Sequence, residues 1–150
     1  MPMDDFRLRP LAPEETAIAR NIIETVWPEP LTAPAQGEIE HLPQSFRQAG
    51  GEFWMAEYRQ AAVGTVGVVP RGNGDWEVRW LCLLPRWQRT GLGILLLQRA
   101  LAFAKERRGQ RVLCSPPNEA ARHFLRAAGF FNSESSDHGP MALEMALASE

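Results

Sequence analysis

A chain of 150 residues, 45% hydrophobic and 23% charged, has enough apolar side chains for one packed domain and is neither collagen-like nor intrinsically disordered in composition. No apolar run approaches the roughly 20 residues of a membrane-spanning helix, and the opening MPMDDFRLRP has two acids and no apolar stretch, so neither a membrane span nor a secretory leader is expected. The net charge of −2 hides an asymmetry, with eight acids against two arginines from Glu14 to Glu57 and eleven bases against four acids from Arg71 to Arg126. Partners of opposite charge for the two parts are therefore expected, but a slightly acidic chain without a nucleic-acid motif predicts no nucleic acid.

Along the chain, Phe6 to Leu11 alternates apolar and basic residues and predicts a strand. Pro13 opens a helix whose apolar face is Ile18, Ile22, Ile23 and Val26, and Pro28 stops it. The segment from Pro28 to Gly51 is irregular, with four prolines and one short helix predicted near Glu38 to Gln48; long connections of this kind often bind ligands. Glu52 to Tyr58 and Ala61 to Val69 predict a hairpin turning at Arg59-Gln60. The turn Arg71-Gly72-Asn73-Gly74-Asp75 leads into a strand from Trp76 to Leu84, closed by Pro85. Gly91 to Arg108 predicts a helix stopped by Gly109, Arg111 to Ser115 a strand, and Asn118 to Ala128 a helix stopped by Gly129. Phe130 to Glu134 and Pro140 to Leu147 predict a closing antiparallel pair. The order predicts a single α/β domain over 1–150, with a mixed sheet covered by helices.

Cys82 and Cys114 form no CxxC pair, and reduced thiols in a cytoplasmic protein are the simplest reading. His41, His123 and His138 have no metal-ligand spacing, so no metal is expected. The informative stretch is LCLLPRWQRTGLGIL, Leu81 to Leu95. A strand ends at Pro85, and a short loop leads to Gly91 and Gly93 at a helix start. Unpaired first-turn amides and the helix dipole favour an anion there, and two glycines allow close approach, which is the physics of a pyrophosphate site. Leu96 breaks the dinucleotide pattern GxGxxG, and the P-loop pattern is absent. A lone GxG also suits a tightly packed loop.

The run Gln88-Arg89-Thr90-Gly91-Leu92-Gly93 resembles the [Q/R]xxGx[G/A] motif of GCN5-related N-acetyltransferases. Pro85 after the strand, Glu77 at its start, and Asn118-Glu119-Ala120-Ala121 through Gly129-Phe130 fit the same pattern in register. The resemblance implies a mixed, mostly antiparallel sheet of six to seven strands, flanked by about four helices, with the fourth and fifth strands splayed. It implies acetyl-CoA as co-substrate, with its pyrophosphate on the amides of Gln88, Arg89, Thr90, Gly91, Leu92 and Gly93. Its pantetheine arm would lie along Leu81, Cys82 and Leu83, and Asn118 and Arg122 would line it, with Arg86 and Arg89 flanking the loop. Many members are homodimers, so a homodimer is among the arrangements implied.

The implied reaction is transfer of an acetyl group to a primary amine of a small molecule or peptide by direct attack on the thioester. Glu77 is the candidate base, although in a strand it shares a face with Arg79 and an ion pair is the competing reading. Glu24, Glu29 and Glu52 are weaker candidates. A backbone amide near Cys82 or Leu83 would polarise the thioester. Many members place a tyrosine as general acid where this chain has Leu125, which donates no proton; Ser115, Cys114 or water would stand in. Ser115 otherwise suits a helix cap before Pro116, and Cys114 a small buried hydrophobe. His41 lies in the irregular segment, and Trp27 and Trp54 suit an aromatic wall around the acceptor. The acidic part suggests a cationic amine acceptor, such as a polyamine, an aminoglycoside-like compound, or a lysine or N-terminal amine. The competing functions are a coenzyme-binding module without turnover and a phosphate-binding interaction protein.

Overall fold

In a computed structural model, which describes residues 5–133 and 142–147, the chain forms one seven-stranded sheet with helices on both faces. The strands are β1 (Phe6–Pro10), β2 (Glu52–Tyr58), β3 (Ala61–Gly72), β4 (Asp75–Leu83), β5 (Arg111–Cys114), β6 (Phe131–Asn132) and β7 (Leu143–Ala146). Their order across the sheet is β1-β2-β3-β4-β5-β7-β6, and every neighbouring pair is antiparallel except β4 with β5. The helices are α1 (Thr16–Val26), α2 (Ala33–Glu40), α3 (Gln44–Gln48), α4 (Leu92–Glu106) and α5 (Glu119–Ala127).

Two cores separate the faces. Ile22 and Ile23 of α1, Ile39 of α2 and Phe46 of α3 pack with Phe53 and Met55 on one side. Leu96, Leu97 and Ala100 of α4 and Leu125 of α5 pack with Trp54, Val66 and Val78 on the other. Successive residues of β2 therefore serve opposite cores, as period-2 geometry requires.

Several predicted elements shift. The single helix expected from Glu38 to Gln48 is two helices, separated around Leu42-Pro43, and α2 begins earlier, where the Thr32 hydroxyl accepts from the Ala35 amide at 3.3 Å. A 3-10 turn at Pro13–Glu15 precedes α1. β3 runs past Val69 through Pro70 to Gly72, because pairing with β2 ends at Val68 and Pro70 meets only Trp76 of β4. The closing pair is confirmed as Phe131↔Glu144 and Asn132↔Leu143, while Glu134 and Pro140 lie outside the described residues.

Candidate active site

β4 carries the feature that organises the site. Thr65 pairs with Cys82 and Gly67 with Arg79, so β4 has one residue more than β3 between those rungs. The bulge is centred on Trp80, which takes a left-handed φ of 55°, a cost met only where surroundings over-determine the backbone. One restraint is the buried Thr65 hydroxyl, which donates to the Trp80 carbonyl at 2.8 Å. The extra residue reverses the alternation. Trp76 and Val78 face the α4 core, whereas Trp80 and Cys82 face the α1–α3 core. The written pattern Trp76, Val78, Trp80, Cys82 shows no break, so sequence reasoning missed the bulge.

Pairing of β4 with β5 stops at Val78↔Cys114. From Arg79 to Leu83 the side of β4 that faced β5 has no strand partner among the described residues, and a cleft of about 430 Å³ opens in the gap. This is the expected splaying of the fourth and fifth strands. Below the gap the two strands are clamped by Arg111, which reaches Asp75 of β4 at 2.7 Å and Glu144 of β7 at 3.2 Å.

Leu81, Cys82 and Leu83 line the cleft on the strand side, and Gln88, Arg89, Gly91 and Gly93 line it on the loop side. The Gln88 side-chain amide donates to the Leu83 carbonyl at 2.9 Å and ties the loop to the strand end. Arg89 and Gly91 both take left-handed φ values, 62° and 87°, which turn successive amides into a concave nest for an anion. No protein acceptor among the described residues takes the amides of Arg89, Thr90 or Gly91, and the N-cap Gly91 has no side chain to satisfy the first turn of α4. A Cβ at Gly93 would sit 3.3 Å from Phe124, so glycine there lets α4 and α5 approach closely. Thr90 and Leu92 do not line the cleft. The Thr90 hydroxyl donates to the Trp87 carbonyl at 2.6 Å and accepts from the Leu92 amide at 3.4 Å, and the Leu92 side chain is buried core.

Asn118 lines the cleft and caps α5, its side-chain oxygen accepting from the Ala121 amide at 2.8 Å. Arg122 is off the cleft lining, bonded to the Asn132 side chain at 2.6 Å. Arg86 stacks over Trp87 at 5.5 Å, so Arg89 is the loop arginine that lines the cleft.

At the other end the cleft is walled by Val26, Trp27, Glu77, Arg79 and Trp80. The ion pair anticipated for Glu77 is present: it accepts from Arg79 at 3.0 Å and from Arg71 at 2.6 Å. Glu38 accepts from Arg79 at 2.8 Å and from the Trp80 indole at 2.6 Å. Burial alone would lower the Arg79 pKa, but Glu38 and Glu77 outweigh it and the net shift is upward, keeping the guanidinium charged. Trp27 meets Trp80 edge to face at 4.9 Å. Trp54 does not join this wall; it is core, packed on Phe103 at 5.4 Å. His41 is an exposed residue at the end of α2, Glu24 pairs weakly with Arg20 at 3.9 Å, and Glu52 pairs with Arg47 at 2.7 Å, so none of these belongs to the cleft.

Cys114 lines the cleft, but burial pushes its thiol up to about 12, as it does that of Cys82. That keeps the Cys114 thiol in its neutral form at ordinary pH. Ser115 caps no helix, because α5 starts later with Asn118 as its cap. It is the only side-chain hydroxyl among the described residues lining the cleft. Leu125 closes the cleft from α5 and is 2% exposed. No group of His, Cys, Asp or Glu among the described residues has the arrangement of a metal site.

The fold is shared with solved acetyltransferases at low identity. A GNAT-family acetyltransferase from Staphylococcus aureus Mu50 superposes with a TM-score of 0.85 and 16% identity, covering 95% of this chain and 99% of that one. The PaiA N-acetyltransferase of Thermoplasma acidophilum, solved with coenzyme A, gives 0.76 and 15%, covering 94% and 98%. A GNAT-family acetyltransferase of Brucella melitensis, solved with acetyl-CoA, gives 0.68 and 19%, covering 97% and 90%. No curated protein matches the sequence. The description "Acetyltransferase (GNAT) family" matches residues 17–130, a span that holds the bulged strand, the amide nest and the cap of α5. On that match over most of its length, the chain belongs to the GNAT family of acetyltransferases.

Proposed function

We propose that this protein is an N-acetyltransferase that moves an acetyl group from acetyl-CoA to a primary amine in one direct step. The observation that carries the reading is the combination of a strand edge, Arg79 to Leu83, unpaired among the described residues, with an amide nest at Arg89 to Gly91. An extended amide-bearing arm suits the first, and a pyrophosphate suits the second. Asn118 would lie beside the arm. Arg122 would add charge near the coenzyme only by turning away from Asn132.

A neutral amine entering past Trp27 would attack the thioester carbon. The new C–N bond forms as the C–S bond breaks, and the thiol leaves. The attacking nitrogen gives up one proton, through water, to Glu77, the only acid among the described residues lining the cleft. The free amides of β4 near Cys82 would polarise the carbonyl oxygen. Ser115 would donate to the departing sulfur, weakly, and a thiolate leaves without much help. Two free, buried cysteines support a reducing, cytoplasmic setting, and no helix among the described residues is long and apolar enough to cross a membrane.

Leu125 favours a second reading, an acyl-CoA-binding module without turnover, because it lines the cleft with a side chain that donates no proton. A thiol-release assay across an amine library, run with a melting curve with and without acetyl-CoA, separates the two. Thiol release supports the enzyme; stabilisation by acetyl-CoA with no release supports the module; no stabilisation removes both.

A further inference from the structure

We infer that the acceptor is an amine carried on an aromatic or broad apolar body with no second cationic group, an inference that rests on the transferase reading. The charge asymmetry of the sequence suggests a cationic acceptor, with polyamines and aminoglycoside-like compounds among the candidates. Four of the eight acids from Glu14 to Glu57 are held in close ion pairs with arginines of this chain. Glu15 and Glu57 bind Arg9, Glu52 binds Arg47, and Glu38 binds Arg79. Among the described residues that line the acceptor end of the cleft the one carboxylate is Glu77, already shared by two guanidinium groups.

The apolar surface that an acceptor meets there is Val26 and Trp27, backed by Trp80, which is 5% exposed. Trp80 is fixed by three contacts: its indole N–H on Glu38, the edge-to-face stack of Trp27 and the Arg79 guanidinium 5.3 Å from its ring centroid. Trp80 is thus already supplied with a cation, and Arg79 would repel a second one. Titratable groups facing the wall are Glu77 and Arg79 from β4, Glu38 from α2 and Arg71 from β3, and they balance to zero. A polyamine would bring one or more ammonium groups to a wall whose two carboxylates among the described residues, Glu38 and Glu77, are already held by arginines. An apolar body would stack on Trp27 and shed water. The same apolar setting disfavours the ammonium form of the attacking nitrogen and so favours the neutral nucleophile.

The test measures thiol release from acetyl-CoA with phenethylamine and tryptamine against spermidine and cadaverine. The expected result is kcat/KM at least about tenfold higher for the two aromatic amines, the ratio that corresponds to about 1.4 kcal/mol. Trp27→Ala should raise KM for phenethylamine by about tenfold, with kcat and the acetyl-CoA-induced rise in Tm little changed. Trp27→Phe, which keeps an aromatic face, should restore most of the loss. A preference for spermidine or cadaverine, or an unchanged KM in Trp27→Ala, overturns the acceptor class and leaves the transferase reading standing. Absence of release with every amine of a broad library, with acetyl-CoA still raising Tm, overturns the transferase reading and the acceptor class with it.

Discussion

Thr65 and Trp80 are joined across neighbouring strands: the threonine hydroxyl, fully buried, donates a 2.8 Å hydrogen bond to the carbonyl of a tryptophan held at a φ of 55°. That bond secures the one residue that β4 has in excess, and with it the reversal that aims Trp80 at Trp27. Thr65→Val keeps the shape but removes a buried hydrogen bond to the Trp80 carbonyl, a loss of about 1 kcal/mol or more. The expected outcome is a lower Tm in thermal unfolding and a raised KM for the amine, as the tryptophan wall loosens.

Gly91 separates backbone strain from ligand exclusion. Its φ of 87° costs an L-residue about 1–2 kcal/mol, yet a Cβ there would meet nothing within 4 Å. Gly91→Ala should therefore lose about that much stability while still being stabilised by acetyl-CoA. Gly91→Glu adds negative charge beside the nest and should abolish the acetyl-CoA-induced rise in Tm altogether.

Glu77→Gln tests the base. Turnover should fall about a hundredfold or more, the usual scale for general-base catalysis, while the acetyl-CoA-induced rise in Tm stays as in the wild type. Arg71 and Arg79 lose a partner, but both sites are partly exposed, so the stability change should stay within about 1 kcal/mol. Wild-type rates at every pH would exclude Glu77.

The two thiols set an alkaline limit. Burial raises both to about 12 from an ordinary value of 9.0. Between those values the unfolded chain releases protons that the folded chain keeps. Their contribution is full below about 9 and drains as pH rises towards 12, by about 1.4 kcal/mol per pH unit for each thiol. Cys82→Ala and Cys114→Ala should each flatten the fall of Tm between pH 9 and 11, whatever they cost at neutral pH.

The loop was legible because its chemistry is local: Gln88 to Gly93 is one run, and Gly91 and Gly93 have backbone reasons to be glycine. The Glu77–Arg79 pair was legible from strand spacing. The bulge was not, since the apolar alternation from Trp76 to Cys82 continues through it and only the register with β3 shows the extra residue. Trp54 and Trp27 looked alike in composition; which side of β2 Trp54 faces depends on pairing with β1 and β3. Charge was the most misleading guide. Glu38 lies forty-odd residues from Arg79 and Trp80 in the chain, and nothing local told that it was already engaged.

The early end of the β4–β5 ladder leaves a seam through the molecule. Strands β1 to β4 and β5 to β7 form two half-sheets, stitched by the rungs from Asp75↔Arg111 to Val78↔Cys114 and by the crossover through α4. A guest laid along the open stretch would act as a rivet between the halves. Amide protons at Leu81 and Leu83 should then exchange quickly with solvent deuterium in the empty protein and slowly in the loaded one, and the two halves should melt together more sharply.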